Sequence, residues 1–589
     1  MRSPSELTFR LRQEGLSLFH WLVPPRMRRL PGPPGHPPKP DPARGAAVVP
    51  IAERCLAGQV PVFGTWLDHP GWRRDPTTGI DAGLRYFRLL PYLDPARAGD
   101  HKWLWEINRH QHLVTVAQAF HLTGRPEFAR WIEGQLASWM DANPWLRGMN
   151  WASALEVAFR ALSWFWIDRF AGSALPARFR ERWMECLYRH GRYLENNLSV
   201  YFSPNTHLLG EAVALHALGA AYPDWSRSWA AAADRIVREQ LRTQVRSDGS
   251  HFEQSAYYHV YALDMFLLHF ALAGDPSPDE AERLRAMAVF LDALLGPQGT
   301  LPLLGDDDGG RLFHPFGRRD RFGRATLAAA GVLLGEPSWI REASDFDELG
   351  LWWFGGAHVD PAAGRAPVPR CQLFRDAGIA VFSNGIWHAV ADAGPFGPGS
   401  GGHSHSDTLS LVLRRADEEI LIDPGTFTYV GDPAARNSFR GSAAHNTLRI
   451  GGKDQATPAG PFRWLHPPRV DIRSCGEDHL DAVCSYGAFQ HRRILRVGHE
   501  PFRIGVTDEV DGPPGPHLVE QFWHAGEAVL PESRSRYRIG QSVRLHLDGD
   551  ASIEPGARSR VFGRQEPAPV IVRRDTTALP VRWTTVIGE

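Results

Sequence analysis

The stretch GGHSHSDTLSLVLRRADEEILIDPG, residues 401–425, is followed shortly by AAHN at residues 443–446. Apolar residues alternate on both sides of the ADEE turn, which predicts a β-hairpin. Four side chains in this region carry imidazole or carboxylate groups: His403, His405, Asp423 and His445. Zn²⁺ accepts both groups as ligands at about 2.0–2.2 Å. The region therefore predicts antiparallel strands and one metal held between them, in either a catalytic or a structural role.

The hairpin belongs to a longer region in which the hydrophobic pattern has a period of two. From about residue 365 onward, short alternating runs recur between turns rich in glycine and proline. This pattern predicts antiparallel strands. Because there are so many of them, we expect the strands to close into a two-sheet β-sandwich.

The preceding region has the three- and four-residue apolar spacing of helices. Nine candidate helices lie between residues 103 and 334, and the first of them covers residues 103–122. Consecutive helix pairs predict an incomplete α/α toroid. Because helices come first and strands afterwards, we predict a multidomain α+β protein, with an N-terminal toroid and a C-terminal antiparallel β-sandwich.

The N-terminal region is expected to form a separate unit. Residues 5–22 predict one amphipathic helix, and the proline-rich segment Pro31–Gly45 is expected to detach that helix from the rest of the chain. The predicted organisation is therefore a helix and linker at 1–46, a toroid domain at 47–345 and a β-sandwich domain at 346–589.

The composition fits a folded protein and excludes several classes of partner. The chain has 589 residues, 43% of them hydrophobic, and a formal net charge of −1. That balance argues against nucleic-acid binding, and no segment reaches the roughly 20 apolar residues of a membrane span. The five cysteines lack C-x-x-C spacing, which argues against a disulfide framework and a cysteine metal site.

Three polar and aromatic clusters in the helical region point to a binding cleft. They are GMNWASALEVAFR at 148–160, SPNTHLLGEA at 203–212 and DGSHFEQSAYYH at 248–259. Each one alone also has a structural interpretation, as a helix cap, a core histidine or an ordinary i,i+4 pair. Because helix ends of a toroid gather on one rim, we interpret the three together as a site that orients sugars.

Two other metal motifs fit the sequence poorly. HSHSD shares the HxHxD pattern of the metallo-β-lactamases, but Thr408 stands where that pattern continues with a histidine. The segment GDDDGGR at 305–311 lacks the ligand spacing of a calcium loop. We therefore interpret Asp306–Asp308 as a turn.

Taken together, these motifs resemble the heparinase II/III family of polysaccharide lyases over about residues 80–530. The motifs that carry the resemblance are GMNWASALEVAFR, NTHLLGEA, DGSHFEQSAYYH, GGHSHSD, IDPGTFTY and AAHNT. The resemblance implies an α/α toroid and a β-sandwich with the active site in the cleft between them. It also implies a zinc ion in the sandwich and β-elimination on a uronic-acid polysaccharide, which gives 4,5-unsaturated products.

The resemblance further implies roles for individual residues. The catalytic residues would be Tyr258, His207, His403 and Asn205. One zinc ion, expected to be structural, would be held by His405, Asp423 and His445. A wider group is expected to bind substrate: Asn150, Glu156, Arg160, Glu211, Tyr257, Tyr429 and Arg440. The sequence departs from the family pattern at Ser404 and Thr206, so the carboxylate-binding role rests on Asn205.

β-Elimination makes specific demands on these residues. The proton on C5 of the uronate is weakly acidic while the neighbouring carboxylate is charged, so Asn205 and His403 are expected to stabilise the developing charge. Tyrosine has a pKa of about 10, so Tyr258 acts as a base only if His207 or Arg160 lowers that pKa. If the C5 proton and the leaving group lie on the same face of the sugar, Tyr258 can serve as both base and acid. If they lie on opposite faces, His207 would be the base and Tyr258 the acid.

Two other functions are open at this point. A glycoside hydrolase would need two carboxylates about 5–10 Å apart, drawn from Glu106, Glu156, Glu211 and Glu253. A polysaccharide assembly or binding protein would keep the fold without degrading the polymer. The expected partner is an anionic polysaccharide, and a homodimer is left open. A polymer substrate favours the periplasm or cell envelope, although the N-terminus shows no clear signal-peptide pattern.

Overall fold

The computed structural model describes residues 3–314, 321–355 and 369–589, with helices in the first part of the chain and antiparallel sheets in the second. The predicted order of a helical region followed by strands is confirmed. None of the described helices is long and apolar enough to cross a membrane.

The helices follow the predicted periodicity closely, and most of their ends agree within a few residues. In chain order they are α1 Pro4–Leu22, α2 Pro42–Gly45, α3 Val48–Leu56, α4 Pro95–Ala98, α5 His101–Asn108, α6 Gln111–Thr123, α7 Pro126–Ala142, α8 Ala154–Ala171, α9 Ala177–Asn197, α10 Thr206–Ala221, α11 Trp229–Gln244, α12 Ala256–Ala273, α13 Pro278–Leu295, α14 Arg324–Leu334, α15 Ala343–Phe346, α16 Gly350–Trp353 and α17 Pro433–Arg440.

The predicted helix over 103–122 is wrong as a single element, because it is split into α5 and α6. His110 stands at the break with a φ of 62°, in the left-handed region that an α-helix cannot contain. Its Nδ1 atom accepts a hydrogen bond of 2.8 Å from the indole of Trp164. A buried tertiary contact thus accompanies a turn that the apolar spacing alone does not reveal.

The helical half has an inner and an outer set of helices. α8, α10 and α12 are buried along nearly all of their length, whereas α9 and α11 keep one exposed face. α10 packs against α8, α11 and α12. The starts of inner helices α10 and α12 are therefore held close together.

The strands form the second half of the chain, after one hairpin near the N-terminus. They are β1 Gln59–Val62, β2 Thr65–Asp68, β3 Cys371–Phe374, β4 Ile379–Asn384, β5 Trp387–Asp392, β6 Ser410–Arg415, β7 Glu418–Leu421, β8 Leu448–Ile450, β9 Thr457–Pro458, β10 Trp464–Leu465, β11 Arg469–Gly476, β12 His479–Tyr486, β13 Phe489–His499, β14 Phe502–Asp511, β15 Pro516–His524, β16 Val529–Pro531, β17 Arg536–Ile539, β18 Val543–Leu547, β19 Ser552–Arg558, β20 Glu566–Ala578 and β21 Val581–Gly588.

The strands after residue 370 pair in more sheets than the two expected. β9 and β10 form a two-stranded sheet, and three larger sheets of five, eight and four strands have the orders β3-β4-β5-β6-β7, β11-β12-β13-β14-β21-β18-β17-β16 and β19-β20-β15-β8. Every strand pair within them is antiparallel, as predicted. The predicted hairpin at ADEE is the β6–β7 pair.

The β1–β2 hairpin lies inside the region that we predicted as helical. Its two-residue turn consists of Phe63 and Gly64, both with positive φ. Turns of that geometry match the twist of paired strands. The hairpin is too short to interrupt the helical periodicity of the region as a whole.

Helix α1 packs on the helical half, in contrast to the expected detachment by the linker. The indole of Trp145 donates a 2.9 Å hydrogen bond to the carbonyl of His20. The hydroxyl of Ser17 donates to the side-chain oxygen of Asn197 at the end of α9. The proline-rich segment therefore spans the surface while the helix before it stays bound.

The loop between α13 and α14 connects the helical half to the sheets. The backbone N–H of Asp306 donates to the carbonyl of His403, and the N–H of Ala256 donates to the carbonyl of Leu304. Gly305 has a φ of +66°, and a Cβ there would lie 2.7 Å from the carbonyl of Gln254. Glycine at this position allows the loop to pass between the two halves.

We expect Arg493→Met to destabilise the sheet region strongly. Arg493 is buried on β13 and pairs with Asp508 through bonds of 2.7 and 2.9 Å. Removal of the guanidinium takes the arginine partner from the buried Asp508 carboxylate, to which His491 and Gln521 still hydrogen-bond. Loss of one partner of a buried ion pair costs about 3–5 kcal/mol. Thermal denaturation measures the loss. Arg492→Met is the matched control, because Arg492 is half-buried and surface ion pairs contribute at most about 1 kcal/mol. Equal effects of the two variants would contradict this interpretation.

Candidate functional site

A cavity of about 950 Å³ lies between the helical half and the sheet half of the chain. The helical half supplies Trp105, Glu156, His207 and Tyr258 to its walls, and the sheet half supplies His403, Tyr429 and Phe462. A cavity of this size and mixed aromatic and polar lining is suited to a ligand that has both apolar faces and hydroxyl or acidic groups.

Two helix caps position the residues from the helical half. Asn205 caps α10 by accepting a 3.1 Å hydrogen bond from the N–H of His207, and Ser255 caps α12 by accepting from the N–H of Tyr258. Because α10 and α12 are neighbours, the caps bring His207 and Tyr258 to the same wall. The amide of Asn205 also donates to Glu253 at 2.6 Å.

Tyr258 and His403 are in direct contact although they come from different halves of the chain. Their rings are stacked with centroids 3.8 Å apart. The phenol of Tyr258 donates to Asp308 at 3.3 Å and lies 3.2 Å from the hydroxyl of Tyr429. The structure therefore brings three predicted residues, Tyr258, His403 and Tyr429, into one group.

The pKa values of His207 and Tyr258 are shifted in opposite directions. Burial, together with the charge of His403, lowers the pKa of His207 to about 4, so its imidazole is neutral at neutral pH. Burial and the charge of Asp308 raise the pKa of Tyr258 well above its usual value, so its phenol keeps its proton. A lowered pKa, the condition for Tyr258 to act as a base, is therefore not met, because the charged group that its hydroxyl contacts is the Asp308 carboxylate.

His403 is held between two acidic side chains. Its Nδ1 atom lies 3.1 Å from Asp306 and its Nε2 atom 3.6 Å from Glu253. Burial lowers the pKa of His403, but the hydrogen bond with Asp306 and the charge of Glu253 outweigh burial and raise the pKa above its usual value. The site therefore favours the cationic form of this imidazole.

Asp306 is the functional residue that the sequence interpretation missed. One carboxylate oxygen pairs with His403 and the other with His405, at 3.1 and 3.0 Å. Arg436 pairs with both oxygens. Burial raises the pKa of Asp306, but the charge of Arg436 outweighs burial and holds that pKa well below its usual value. The run of three aspartates in GDDDGGR is the signal in the sequence that points to this residue.

The three predicted metal ligands lie together next to this carboxylate. Ligand atoms of His405, Asp423 and His445 all lie within 4.8 Å of one another, and all three side chains are buried. Nδ1 of His405 and Nε2 of His445 are buried without a hydrogen-bond partner in the described structure. Two orphaned imidazole nitrogens beside a carboxylate are the donor set expected of a transition-metal site.

A second histidine and aspartate cluster lies in the helical half, outside the cavity lining. His216, Asp234 and His269 also have ligand atoms within 4.8 Å of one another. Here the carboxylate of Asp234 already accepts from Arg238 at 2.9 and 3.0 Å. A guanidinium bound to the only carboxylate of this cluster disfavours a second cation, unlike at the first cluster.

A network of buried ion pairs lies beside the cavity. This network was not predicted from the sequence. Lys102 bridges Glu106 and Asp308 at 3.0 Å each, and Arg109 binds Glu156 through two bonds of 2.8 Å. Burial raises the pKa of Asp308, but the charges of Lys102 and Arg109 outweigh burial and hold that pKa at about 2. The predicted residue Glu156 thus lines the cavity while its carboxylate is neutralised.

Two residues predicted to bind substrate lie in the helical core instead. The guanidinium of Arg160 donates to His190 and to the carbonyl of Asn150, and its side chain is 0% exposed. The amide of Asn150 donates to the carbonyl of Trp72 and to Asn143. Neither residue lines the cavity. Arg160 is therefore not placed to change the pKa of Tyr258.

Three further predicted substrate-binding residues lie behind the cavity wall rather than on it. Tyr257 points into the core, where its hydroxyl donates to the carbonyl of Gly310. Glu211 accepts two 2.7 Å hydrogen bonds from Ser199, and burial raises its pKa to about 8. Arg440 donates to the carbonyls of Gly460 and Pro461, so it supports a loop that lines the cavity.

The sequence matches known proteins along most of its length. Residues 70–307 match the heparinase II/III N-terminal model and residues 366–583 the heparinase II/III-like C-terminal model. The chain is 24% identical over 508 residues to a heparin-sulfate lyase of Pedobacter heparinus, with 80% of this chain and 71% of that protein covered. It is 20% identical to a heparin-sulfate lyase of Bacteroides stercoris, with 89% and 79% covered.

Solved structures show the same architecture. A crystal structure of heparinase III superposes with a TM-score of 0.67 at 18% identity, covering 98% of this chain and 89% of that one. A Paenibacillus xanthan lyase superposes with a TM-score of 0.51 at 12% identity, covering 99% and 60%. The two family models together match well over half of the sequence, and the chain belongs to the heparinase II/III family.

Proposed function

We propose that this protein is a polysaccharide lyase that cleaves a uronic-acid polymer by β-elimination and leaves a 4,5-unsaturated uronate. The observation that carries the proposal is the convergence of His207, Tyr258 and His403 on one cavity. Their protonation states differ, as a reaction that both removes and delivers a proton requires. The heparin-sulfate lyases to which the chain is similar support the same reaction class.

In the proposed reaction, His403 and Asn205 neutralise the uronate carboxylate. A cationic imidazole next to the carboxylate stabilises the negative charge that develops when C5 loses its proton. The Asp306 and Glu253 charges that favour cationic His403 support this role. The amide of Asn205 adds a neutral donor at the same wall, with its orientation fixed by the α10 cap.

The proton transfers are assigned to His207 and Tyr258. Neutral His207 takes the proton from C5, the C4=C5 double bond forms, and the bond between C4 and O4 breaks. Tyr258 gives its proton to the departing O4. The lowered pKa of His207 and the raised pKa of Tyr258 favour this assignment over a tyrosinate base, and it corresponds to elimination across opposite faces of the sugar.

We propose that His405, Asp423 and His445 hold one zinc ion with a structural role. Asp306 accepts from Nε2 of His405, which leaves the lone pair on Nδ1 free for a metal, and carboxylates of this kind commonly orient metal-bound histidines. Zinc, when bound, would tie together the segments that carry its three ligands. The segment 401–407 would then present His403 to the cavity at a fixed angle.

The hydrolase alternative is less well supported by the cavity. Glu106 and Glu156 are each paired with buried cations, and Glu211 does not line the cavity. Glu253 is the remaining candidate from that set, and it is hydrogen-bonded to Asn205. A hydrolase requires two carboxylates that are available to the substrate.

The test is incubation with a panel of uronate polysaccharides while the ultraviolet absorbance of a 4,5-unsaturated uronate is recorded. We expect absorbance from at least one polymer, and Tyr258→Phe or His207→Ala should reduce kcat about 10²–10⁴-fold by removing the acid or the base. New reducing ends without absorbance would indicate hydrolysis and contradict the proposal.

Tyr257→Phe is the matched control for the catalytic variants. It removes the same hydroxyl from the neighbouring residue, whose ring faces the core and does not line the cavity. We expect its kcat to stay within a few-fold of the wild type. Loss of activity in Tyr257→Phe comparable to that of Tyr258→Phe would overturn the assignment of the acid.

The pH profile of kcat/KM gives an independent check on the two proton-transfer residues. Since His207 must be neutral to act as base, activity should fall only as the pH drops toward its pKa of about 4. Two groups must keep a proton for the reaction: Tyr258 as the acid, and His403 as the cation beside the uronate carboxylate. Because the pKa of Tyr258 lies well above that of an ordinary tyrosine, the alkaline limb is expected to follow His403, whose pKa is raised from that of an ordinary histidine. The residual activity of His207→Ala should lose the acid limb; an acid limb that stays unchanged would contradict this assignment.

Metal analysis of the purified protein tests the zinc proposal. We expect about one zinc ion per chain in the wild type, and loss of both the ion and thermal stability in His405→Ala, because metal binding stabilises the folded state. His216→Ala, in the cluster whose carboxylate is bound by Arg238, should keep its metal content. Unchanged zinc in His405→Ala, or full activity in metal-free enzyme, would overturn the site or its role.

A further inference from the structure

Helix α1 forms part of the cavity wall although it precedes the region matched by the family models. Phe9, Arg10 and Gln13 on one face of α1 line the cavity, and the family match begins at residue 70. The opposite face of α1 is exposed, with Leu11 at 75%. A segment outside the common family core therefore contributes directly to the surface that substrate would meet.

Aromatic side chains dominate the wall next to α1. The ring of Phe9 lies edge-on to Tyr201 with centroids 5.3 Å apart. Tyr201 and Phe202 line the same cavity and are 40% and 69% exposed. They belong to the 198–203 loop, which Glu211 anchors through its two hydrogen bonds from Ser199. Exposed aromatic rings on a supported loop are suited to stacking on the apolar face of a sugar.

The cations of this wall are each paired with a carboxylate of α1. Arg10 donates to Glu6 at 2.8 Å, and Arg88 lies 3.3 Å from Glu14 while it also donates to Asn197. A sulfate group is bound most strongly by a cation whose charge is not already neutralised. Arg463 also lines the cavity and is exposed, so the pairing lowers the positive charge only next to α1.

We infer that α1 and the 198–203 loop form a sugar-binding subsite that takes an unsulfated sugar ring by aromatic stacking. The inference rests on the proposed function for the identity of the ligand as a uronate polysaccharide. Phe9, Tyr201 and Phe202 supply the stacking surface, and Gln13 supplies a neutral hydrogen-bonding group. Arg10 and Arg88 are paired with Glu6 and Glu14, which makes both cations less available to a sulfate group at this subsite.

Phe9→Ala tests the subsite, with Leu11→Ala on the exposed face of the same helix as the matched control. On an unsulfated uronate polymer we expect Phe9→Ala to raise KM about threefold to tenfold, the range for loss of an aromatic contact, with kcat unchanged. Leu11→Ala should match the wild type in both constants. Equal KM values for the two variants would overturn the subsite.

A glucuronate–glucosamine polymer in its unsulfated and sulfated forms tests whether the paired arginines disfavour sulfate. Titration calorimetry should give tighter binding of the unsulfated form, and Glu14→Gln, which frees the charge of Arg88, should strengthen binding of the sulfated form about twofold to fivefold. Preference of the wild type for the sulfated form would overturn the inference. Because calorimetry needs no turnover, binding without any unsaturated product would count against the proposed lyase reaction and leave the subsite standing.

Discussion

The buried carboxylate of Asp306 is the interaction on which the rest of the site depends. Its two oxygens pair with His403 and His405, and Arg436 supplies the opposite charge. Burial of an unpaired carboxylate costs several kcal/mol of folding free energy. The buried Asp306 therefore depends on its two histidine partners and on Arg436. The imidazole of His403, which lines the cavity, and that of His405, which belongs to the candidate metal site, therefore both depend on one side chain.

A second set of charges controls protonation on the helical side. Lys102 keeps Asp308 ionised, and burial together with the charge of Asp308 keeps the Tyr258 phenol protonated. His207 lies in the same cavity but is governed mainly by burial, which keeps it neutral. Two environments within one cavity thus hold a protonated phenol and an unprotonated imidazole at neutral pH.

The sequence predicted what depends on local pattern. Helix periodicity and the hairpin at ADEE follow from spacing within short segments. The residues alone offered four metal ligands, and the choice of His405, Asp423 and His445 among them came from the family resemblance. The partners of Asp306 lie 97 to 130 residues away, so no local pattern connects them. Arg160 was assigned to the cleft because a buried polar network and a cleft give the same mixture of polar and aromatic residues at a helix start.

The loop that carries Asp306 has a consequence for how members of this architecture can be recombined. Its carboxylate is completed by side chains that lie beyond residue 400, while its backbone is hydrogen-bonded to the start of α12. A chimera that joined the helical half of one protein to the sheets of another would take the Asp306 carboxylate from the first protein and its histidine and arginine partners from the second. The two halves are thus not interchangeable modules, and substitutions on either side of this joint are expected to coevolve.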